Sequence, residues 1–555
     1  MNRNLSLAAI VGAAAVVRFV GLGYSVPFHF HIDEQLMLVS TASLVGSPQT
    51  AVRDKYFFNY GSVPRLIAGV PLTAAKVAGK LDLNKPRQVE AYYLLARSIS
   101  ALAGTVTVLL VGVMALAAIP SSWALAAPTL LAFSPLHLRD SHFFTPDPML
   151  TMFIVASVAG ALWVMRERSV RAAAVMGLCA GLAMATKVNA VFALGSIPVA
   201  LVYARRRACV VAASAAALGA FLAGNWPMLL APIEYLRGME LLAAWASGRA
   251  VRQTDLQFVG TAPWLYWLGN LLRFGAGPVF WVLGMAGLVF VSCRARGERL
   301  LVAATGLPYL VIMGASFQKF MRFSLPLHPV MALTAAMLVA ALVSGSRVLR
   351  AAVVVLLTAH ILVGIAYAGV FIREDPRIRA GRELGTALPP GTAVLLETTH
   401  SNPPLIEDDY RKGLFGSYLP TLGQPRVRRS GRFELLYLDP YRYLYEIADR
   451  PEEQWACITA AMDSADVIII GDRYRDQYTR LPVRFPALTR FYRELDGGLL
   501  GFELVRVYRN PARIGSFVID DARSELTFRL FDRPLLKVYA RENSMAWRAL
   551  CTSPG

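Results

Sequence analysis

The chain has 555 residues, a hydrophobic content of 55% and a formal net charge of +19. This exceeds the roughly 45–50% apolar content of a soluble domain, and residues 1–371 carry 29 Lys and Arg against 12 Asp and Glu. Nucleic-acid-binding proteins can be this basic, but membrane proteins also concentrate Lys and Arg, in their cytoplasmic loops. The long apolar runs favour the second explanation, so we expect membrane lipids and no nucleic acid as partners.

The first two thirds of the chain are predicted to cross a membrane about eleven times, since a spanning helix needs about 20 mostly apolar residues. The predicted spans are 5–26, 91–119, 122–138, 148–165, 172–187, 190–204, 208–231, 264–292, 299–316, 323–345 and 349–371. The apolar segment 61–79 is short and contains two prolines, which favours an interfacial or re-entrant segment. The N-terminus lacks a small-residue cleavage site and is interpreted as a retained first helix.

Arginine placement predicts the orientation. Alternate loops are arginine-rich, at 166–171, 205–207, 294–299 and 347–350, and such loops are normally cytoplasmic. Residues 27–90 would then form a long first outer loop, and the C-terminal part would also lie outside. Of the acidic residues in 1–371, only Glu167 and Glu298 fall in predicted cytoplasmic loops. A working site on the outer face is therefore expected.

Residues 372–555 are predicted to form a second, soluble α/β domain outside the membrane. Short apolar runs at 393–396, 467–470, 504–507 and 535–539 have strand length, and 452–462 has a helical pattern. Two of the five cysteines, Cys457 and Cys551, share this domain. The sequence leaves open whether they pair.

An acidic pair, Asp33-Glu34, follows the first predicted span. Such residues can cap a helix N-terminus, which explains one acid better than two. A general base that takes a proton from an acceptor hydroxyl is the favoured interpretation. His29 and His31 lie beside the pair and raise the possibility of a divalent metal, although their spacing matches no zinc signature.

A second group of polar residues precedes the span predicted at 148–165. Asp147 stands at the entry of that helix, where a cap and a functional carboxylate are equally plausible. Arg139 and His142 supply further hydrogen-bond donors on the same face. All three are predicted to line the site.

Several cations are predicted at outer helix ends or within helices, at Arg97, Lys187, Lys319 and Arg322. Snorkelling to lipid headgroups explains any one of them, and for Lys319 it can be the whole explanation. Arg97 is expected inside the bundle, because a charge at membrane depth usually faces the interior. Converging cations of this kind fit a phosphate or pyrophosphate group.

Taken in order, these segments resemble the glycosyltransferase C (GT-C) superfamily, specifically the bacterial relatives of protein O-mannosyltransferases and of aminoarabinose transferases that modify lipid A. The resemblance covers nearly all of residues 1–371, and the C-terminal domain resembles the outer domains of such enzymes only loosely. The matching pieces are 31–34 (HIDE), 60–64 (YGSVP), 96–105 (ARSISALAGT), 145–147 (TPD), 181–187 (GLAMATK) and 321–329 (MRFSLPLHP). Each piece is short and degenerate, so their order on a matching topology is the specific signal.

The resemblance implies a multi-pass protein of a bacterial inner membrane that transfers a sugar, with inversion, from a polyprenyl-phosphate donor on the outer face. Asp33 would be the base, with Glu34 supporting it. Arg97, Lys187 and Arg322 would hold the carrier phosphate, and Asp147 would line the site. The acceptor could be a lipid, a glycan or a protein. The His29 and His31 pair departs from the pattern and leaves metal dependence open.

Two other classes of function compete. A transporter or flippase would explain the helices and cations, but it predicts inverted repeats or ionisable residues near mid-membrane, and the sequence shows neither. A receptor or assembly factor gives no reason for the Asp33-Glu34 pair.

Overall fold

A computed structural model describes residues 2–54, 56–397, 402–405, 427–429, 432–438 and 450–552. The helices before residue 371 are α1 (Arg3–Phe19), α2 (Ile32–Gly46), α3 (Pro48–Ala51), α4 (Val63–Val77), α5 (Pro86–Ala118), α6 (Ala126–Ala132), α7 (Pro135–Asp140), α8 (Pro146–Glu167), α9 (Val170–Thr186), α10 (Ser196–Ala204), α11 (Arg207–Gly224), α12 (Pro232–Ser247), α13 (Leu265–Asn270), α14 (Pro278–Ser292), α15 (Glu298–Ala315), α16 (Leu327–Leu342) and α17 (Arg347–Ala368). Short 3₁₀ turns lie at Phe57–Asn59, Ser122–Leu125, Val188–Ala193, Trp226–Leu229, Gln253–Phe258 and Met321–Ser324, and a π turn lies at Leu271–Gly275.

Each predicted span falls on one helix or on two consecutive ones. Among the described residues, five helices are long and apolar enough to cross a membrane by length and composition alone: α5, α8, α11, α15 and α17. Shorter apolar helices include α9, α14 and α16. The spans predicted at 122–138 and 264–292 are broken before Pro135 and Pro278, because proline lacks the N–H that continues a helix and disfavours the helical region for the residue before it. The chain is a multi-pass membrane protein.

Helix α5 is longer than the apolar core of a bilayer is thick. It has 33 residues, hence a length of about 50 Å, against an apolar bilayer core of about 30 Å. The Arg97 side chain, in its first half, is fully buried within the protein.

Residues 27–90 form a helical cap rather than an open loop. Helices α2 and α4 pack on the first turns of α5 through a cluster that includes Met37, Leu38, Leu72 and Tyr93. The segment predicted as interfacial at 61–79 is helix α4. We call the side of the bundle that carries this cap and the C-terminal domain the domain face.

Helices α9 and α11 are brought together by small residues. A Cβ atom at Gly177 would lie 2.1 Å from the Ala213 carbonyl oxygen, and one at Gly181 would lie 2.2 Å from that of Ala217. Glycine is therefore required at both positions for this close approach, as at many membrane helix interfaces. The packing fixes the end of α9, directly before Lys187.

The C-terminal domain contains a six-stranded mixed sheet. Its strands are β1 (Ala393–Glu397), β2 (Val427–Arg429), β3 (Glu434–Leu438), β4 (Val467–Gly471), β5 (Phe502–Tyr508) and β8 (Leu536–Arg541), in the order β2-β3-β1-β4-β8-β5. Strand β1 is parallel to β3 and β4, and the other pairs are antiparallel. A separate hairpin joins β6 (Arg513–Ile514) to β7 (Phe517–Val518). The helices are α18 (Pro376–Ala387), α19 (Pro451–Asp463), α20 (Asp472–Tyr478), α21 (Pro486–Asp496), α22 (Leu526–Arg529) and α23 (Met545–Thr552).

Helices cover both faces of this sheet. One apolar cluster joins it to α19, α20 and α21, and another joins it to α18 and α23. Strands β1 and β4 are buried along their whole length, as expected for parallel strands covered on two sides. The four predicted strands and the helix predicted at 452–462 are confirmed, while strands β2, β3, β6 and β7 were not predicted. Cys457 and Cys551 are free thiols.

A segment between β7 and β8, residues 525–532, leaves the domain and enters the domain face of the bundle. We call it the inserted segment. Its side chains Leu526, Phe528, Leu530 and Phe531 belong to the same apolar core as the membrane helices. The two parts of the chain therefore share a core rather than touching at their surfaces.

Candidate active site

Asp33, at the second position of α2, lines a cavity of about 1040 Å³ in the domain face. Its carboxylate is ion-paired with Arg322, which lies in the 3₁₀ turn Met321–Ser324. The two side chains are 19% and 12% exposed. The ion pair therefore joins the candidate base, which lines the cavity, to a candidate phosphate ligand.

Glu34, the next residue, is fully buried and has different partners. Its carboxylate accepts from Arg97 Nε at 2.8 Å, from Arg97 Nη2 at 2.7 Å and from the backbone N–H of Phe144 at 2.9 Å. The Nη1 group of Arg97 donates to the carbonyls of Leu22 and Tyr24. Four of the five guanidinium donors are thus bound inside the protein, so the structure places Arg97 with Glu34 and not at the cavity.

The two histidines do not assemble a metal site. His31 is the N-cap of α2, and its Nδ1 accepts from the backbone N–H of Glu34 at 3.3 Å. Burial lowers the pKa of His31, which suits this acceptor role. His29 stacks on the Tyr93 ring at 3.6 Å. Within the described part of the chain, no group of three His, Cys, Asp or Glu side chains could hold a metal ion, so the residues present do not fit the divalent metal that the two histidines suggested.

A second ion pair lies between Lys187 and Asp147, whose Nζ and Oδ1 atoms are 2.8 Å apart. The Lys187 ammonium also lies 4.4 Å from the centroid of the Phe323 ring, next to Arg322 in sequence, and 5.9 Å from that of Tyr60, which lines the cavity. Gly61 allows this approach, because a Cβ there would lie 2.0 Å from the Ala185 carbonyl oxygen. The structure therefore brings the YGSVP, TPD and GLAMATK pieces together beside Asp33 and Arg322.

Arg139 and His142 lie away from the cavity. Arg139 pairs with Asp140 at 2.5 Å, and its Nη2 donates to the Thr527 carbonyl of the inserted segment at 2.7 Å. The His142 ring stacks on Phe371 at 3.8 Å. Both side chains are buried and neither lines the cavity. Nearby carbonyl and carboxylate oxygens take up their donors, and their role in lining the site stays a prediction.

Three arginines not predicted as site residues line the same cavity: Arg65, Arg252 and Arg473. Arg252 pairs with Asp255 at 3.0 Å and lies over the Trp245 ring at 4.2 Å. Arg65 donates to Ser40 Oγ at 2.7 Å. Arg473 comes from the C-terminal domain, directly after β4. In the sequence, the only sign of these three arginines is that basic residues outnumber acidic ones on the predicted outer face.

The charges around Asp33 keep it ionised. Burial alone would raise its pKa, but the Arg322 guanidinium, with a contribution from Arg252, holds the pKa of Asp33 below its usual range. The site thus offers an ionised carboxylate that can accept a proton, beside cations that can bind an anion.

Two family models match the chain. Residues 60–210 match the family described as dolichyl-phosphate-mannose-protein mannosyltransferase, and residues 250–384 match the Alg9-like mannosyltransferase family. The two matches cover separate parts of a polytopic chain, and both descriptions name mannosyltransferases, so the chain is similar to membrane mannosyltransferases. The first description also names a lipid-linked sugar, dolichyl-phosphate-mannose.

Among solved structures, ArnT from Cupriavidus metallidurans bound to undecaprenyl phosphate aligns with a TM-score of 0.45 and 12% identity, over 99% of this chain and 99% of that chain. The oligosaccharyltransferase from Archaeoglobus fulgidus tethered with an acceptor peptide aligns with a TM-score of 0.47 and 10% identity, over 96% of this chain and 88% of that chain. No curated protein sequence matches the chain.

Proposed function

We propose that the protein transfers a hexose or pentose from a polyprenyl-phosphate donor to an acceptor hydroxyl, with inversion and with Asp33 as the general base. The observation that carries the proposal is the position of the Asp33 carboxylate, which lines the large cavity and pairs with Arg322. The donor class is supported by the match of residues 60–210 to a family described by dolichyl-phosphate-mannose.

The chemistry needs one base and several cations. The acceptor hydroxyl oxygen attacks the anomeric carbon, the bond from that carbon to the phosphate oxygen breaks, and the hydroxyl proton passes to Asp33. The leaving phosphate carries the bond electrons away and needs charge stabilisation rather than a proton. Glycosidases, whose leaving groups are poorer, usually need a second carboxylic acid.

Arg322 links binding of the donor to the basicity of Asp33. In the structure it is bound to Asp33, which makes that carboxylate a weak base. A donor phosphate that competes for the guanidinium would release Asp33 and raise its basicity when the substrate is in place. Lys187 would be the second phosphate ligand, oriented by Asp147.

Glu34 keeps its expected supporting part in this proposal, while Arg97 takes a different part from the phosphate binding first expected. They hold the start of α2 against α5 and so position Asp33, without contacting the donor. We further propose that the domains divide near residue 371, that the domain face is the outer face of a bacterial inner membrane, and that the acceptor is a lipid, glycan or protein.

The test is transfer from labelled polyprenyl-phosphate sugars in membranes that contain wild type or Asp33→Asn, with and without a chelator. We expect Asp33→Asn to insert normally and to lose at least about a hundredfold in rate, as for removal of a general base. Asp82→Asn is the control. Asp82 also lies in residues 27–90, but its side chain is 38% exposed and pairs with Lys85.

Full activity of Asp33→Asn would remove Asp33 from the mechanism and move attention to Asp147. If the wild-type protein transfers no sugar from any of the labelled polyprenyl-phosphate donors, the result would favour the transporter interpretation. Loss of activity in chelator would show that a metal acts outside the His29 and His31 positions described above.

A further inference from the structure

The inserted segment contacts a residue close in sequence to each member of the proposed catalytic pair, Asp33 and Arg322. The Phe531 ring stacks on His31, the cap of the helix that carries Asp33, with 3.9 Å between ring centroids. Glu525, at the start of the segment, accepts from the backbone N–H of Met321 at 3.3 Å. Met321 directly precedes Arg322, so the C-terminal domain contacts the site from both sides of the Asp33–Arg322 pair.

The Glu525 carboxylate is buried and receives four hydrogen bonds. Oε1 accepts from Gln257 Nε2 at 2.9 Å and from the Thr527 N–H at 2.8 Å. Oε2 accepts from Thr527 Oγ1 at 2.9 Å and from Met321 N. The Met321 N–H opens a 3₁₀ turn and has no partner within that turn. A carboxylate satisfies such a donor with a charge-assisted bond.

Gln257 and Asn270 complete the network. The Gln257 side chain also accepts from the Leu526 N–H at 3.0 Å, and Asn270 Oδ1 accepts from the Glu525 N–H at 2.8 Å. Gln257 lies in the 3₁₀ turn Gln253–Phe258, whose first residues line the cavity. Glu525 therefore joins the turn that carries Arg322 to a wall of the cavity, in a buried setting where hydrogen bonds strengthen one another.

We propose that Glu525 of the C-terminal domain is a positioning residue for the transfer reaction, which acts by fixing the Met321–Ser324 turn so that Arg322 meets both Asp33 and the donor phosphate. This inference rests on the proposed function of Asp33 and Arg322. It assigns to the C-terminal domain a part in the geometry of the site, although Glu525 itself touches no substrate.

The test is a double-mutant cycle in the full-length protein, with kcat and KM measured for Glu525→Gln, Arg322→Gln and the double variant. A glutamine amide presents N–H groups where the carboxylate only accepts, so part of the network is lost. We expect Glu525→Gln to lower kcat about tenfold with little change in the amount of folded protein, as for a misplaced catalytic group. In the Arg322→Gln background the same change is expected to cost less than about twofold, since residues that act through one another are non-additive.

Glu397→Gln is the matched control. Glu397 is as buried as Glu525, accepts from the Tyr492 hydroxyl at 2.5 Å and from the Gly471 N–H at 3.3 Å, and belongs to the sheet of the same domain. Burial raises the pKa of both carboxyls, and the amide disturbs hydrogen bonds at both positions, so this variant controls for damage to the C-terminal domain away from Arg322. We expect wild-type kcat and KM for this variant.

Equal losses from Glu525→Gln in the wild-type and Arg322→Gln backgrounds would overturn the positioning role. If Glu525→Gln fails to fold, Thr527→Val removes one bond to the carboxylate and is expected to lower kcat about twofold to threefold, again only when Arg322 is present. A normal rate for Arg322→Gln itself would contradict the proposed function. A normal rate for Glu525→Gln, with Arg322→Gln impaired, would contradict this inference alone.

Discussion

The adjacent acids Asp33 and Glu34 form two ion pairs that differ in exposure and in their other partners. Asp33, which lines the cavity, pairs with Arg322 of the Met321–Ser324 turn, and their side chains are 19% and 12% exposed. Glu34 and Arg97 are 0% and 1% exposed, and their remaining hydrogen-bonding groups are bound by backbone atoms. The first pair can exchange partners with a substrate at small cost. The second cannot, because separation would leave a buried charge uncompensated.

This difference shows how one short motif supplies both reactivity and rigidity. In helix α2 successive side chains point about 100° apart, so adjacent acids face different surroundings. Asp33 faces the cavity, and Glu34 faces α5 and the loop at Phe144. Helix capping explains only one of the two adjacent acids. The separate surroundings of Asp33 and Glu34 give each acid a role of its own.

The largest expected effect is on stability, at Glu34. We expect Glu34→Ala to lower the free energy of unfolding by about 3–5 kcal/mol, because it leaves the Arg97 guanidinium buried without its partner. Thermal unfolding of the purified protein in detergent would measure the effect, with Asp33→Ala as the comparison. Equal melting temperatures for the two variants would show that the pairs do not differ as described.

The next effect is on rate, at Arg322. We expect Arg322→Lys to keep the folded amount of protein and to lower kcat/KM by about tenfold, since lysine keeps the charge but not the planar fork of donors. Steady-state transfer assays would measure it. Arg97→Lys is the comparison variant. We expect it to reduce the amount of folded protein rather than the rate of the protein that folds. A fully active Arg322→Lys would indicate that only the charge at this position matters.

The smallest effect is on pH dependence. The pKa of Asp33 is held low by Arg322, so kcat/KM, which reports the free enzyme, should persist as pH falls until that low pKa is passed. When the donor phosphate takes Arg322, the pKa of Asp33 rises, and the acid limb of kcat should lie about one unit higher, since an adjacent cation lowers such a pKa by about 1–3 units. Coincident limbs would argue that Arg322 stays on Asp33 during transfer.

Much of the fold could be predicted from the sequence, because both parts of the chain follow simple periodic patterns. Uncharged apolar runs mark the membrane helices, and four-residue apolar runs mark buried strands such as β1 and β4. The breaks before Pro135 and Pro278 were missed although the prolines were visible, since hydropathy averages over them. Helix α5 was predicted too short because its polar first turns lie beyond the apolar run.

The candidate site was predictable only where its residues stand in short motifs. Asp33, Lys187, Asp147 and Arg322 are brought together, but the sequence could not show that Arg97 is bound to Glu34. Arg473 and Glu525 were missed because nothing local marks them. Each becomes a site neighbour only through the packing of the C-terminal domain, hundreds of residues along the chain from Asp33.

The inserted segment also has a consequence for biosynthesis. A ribosome completes all the membrane helices before it reaches residue 525, so the bundle enters the membrane with the turn at Met321 lacking its carboxylate partner. On the proposed role of Glu525, a nascent chain would lack a fixed Met321–Ser324 turn until its last domain has docked, and completion of synthesis would itself switch the protein on.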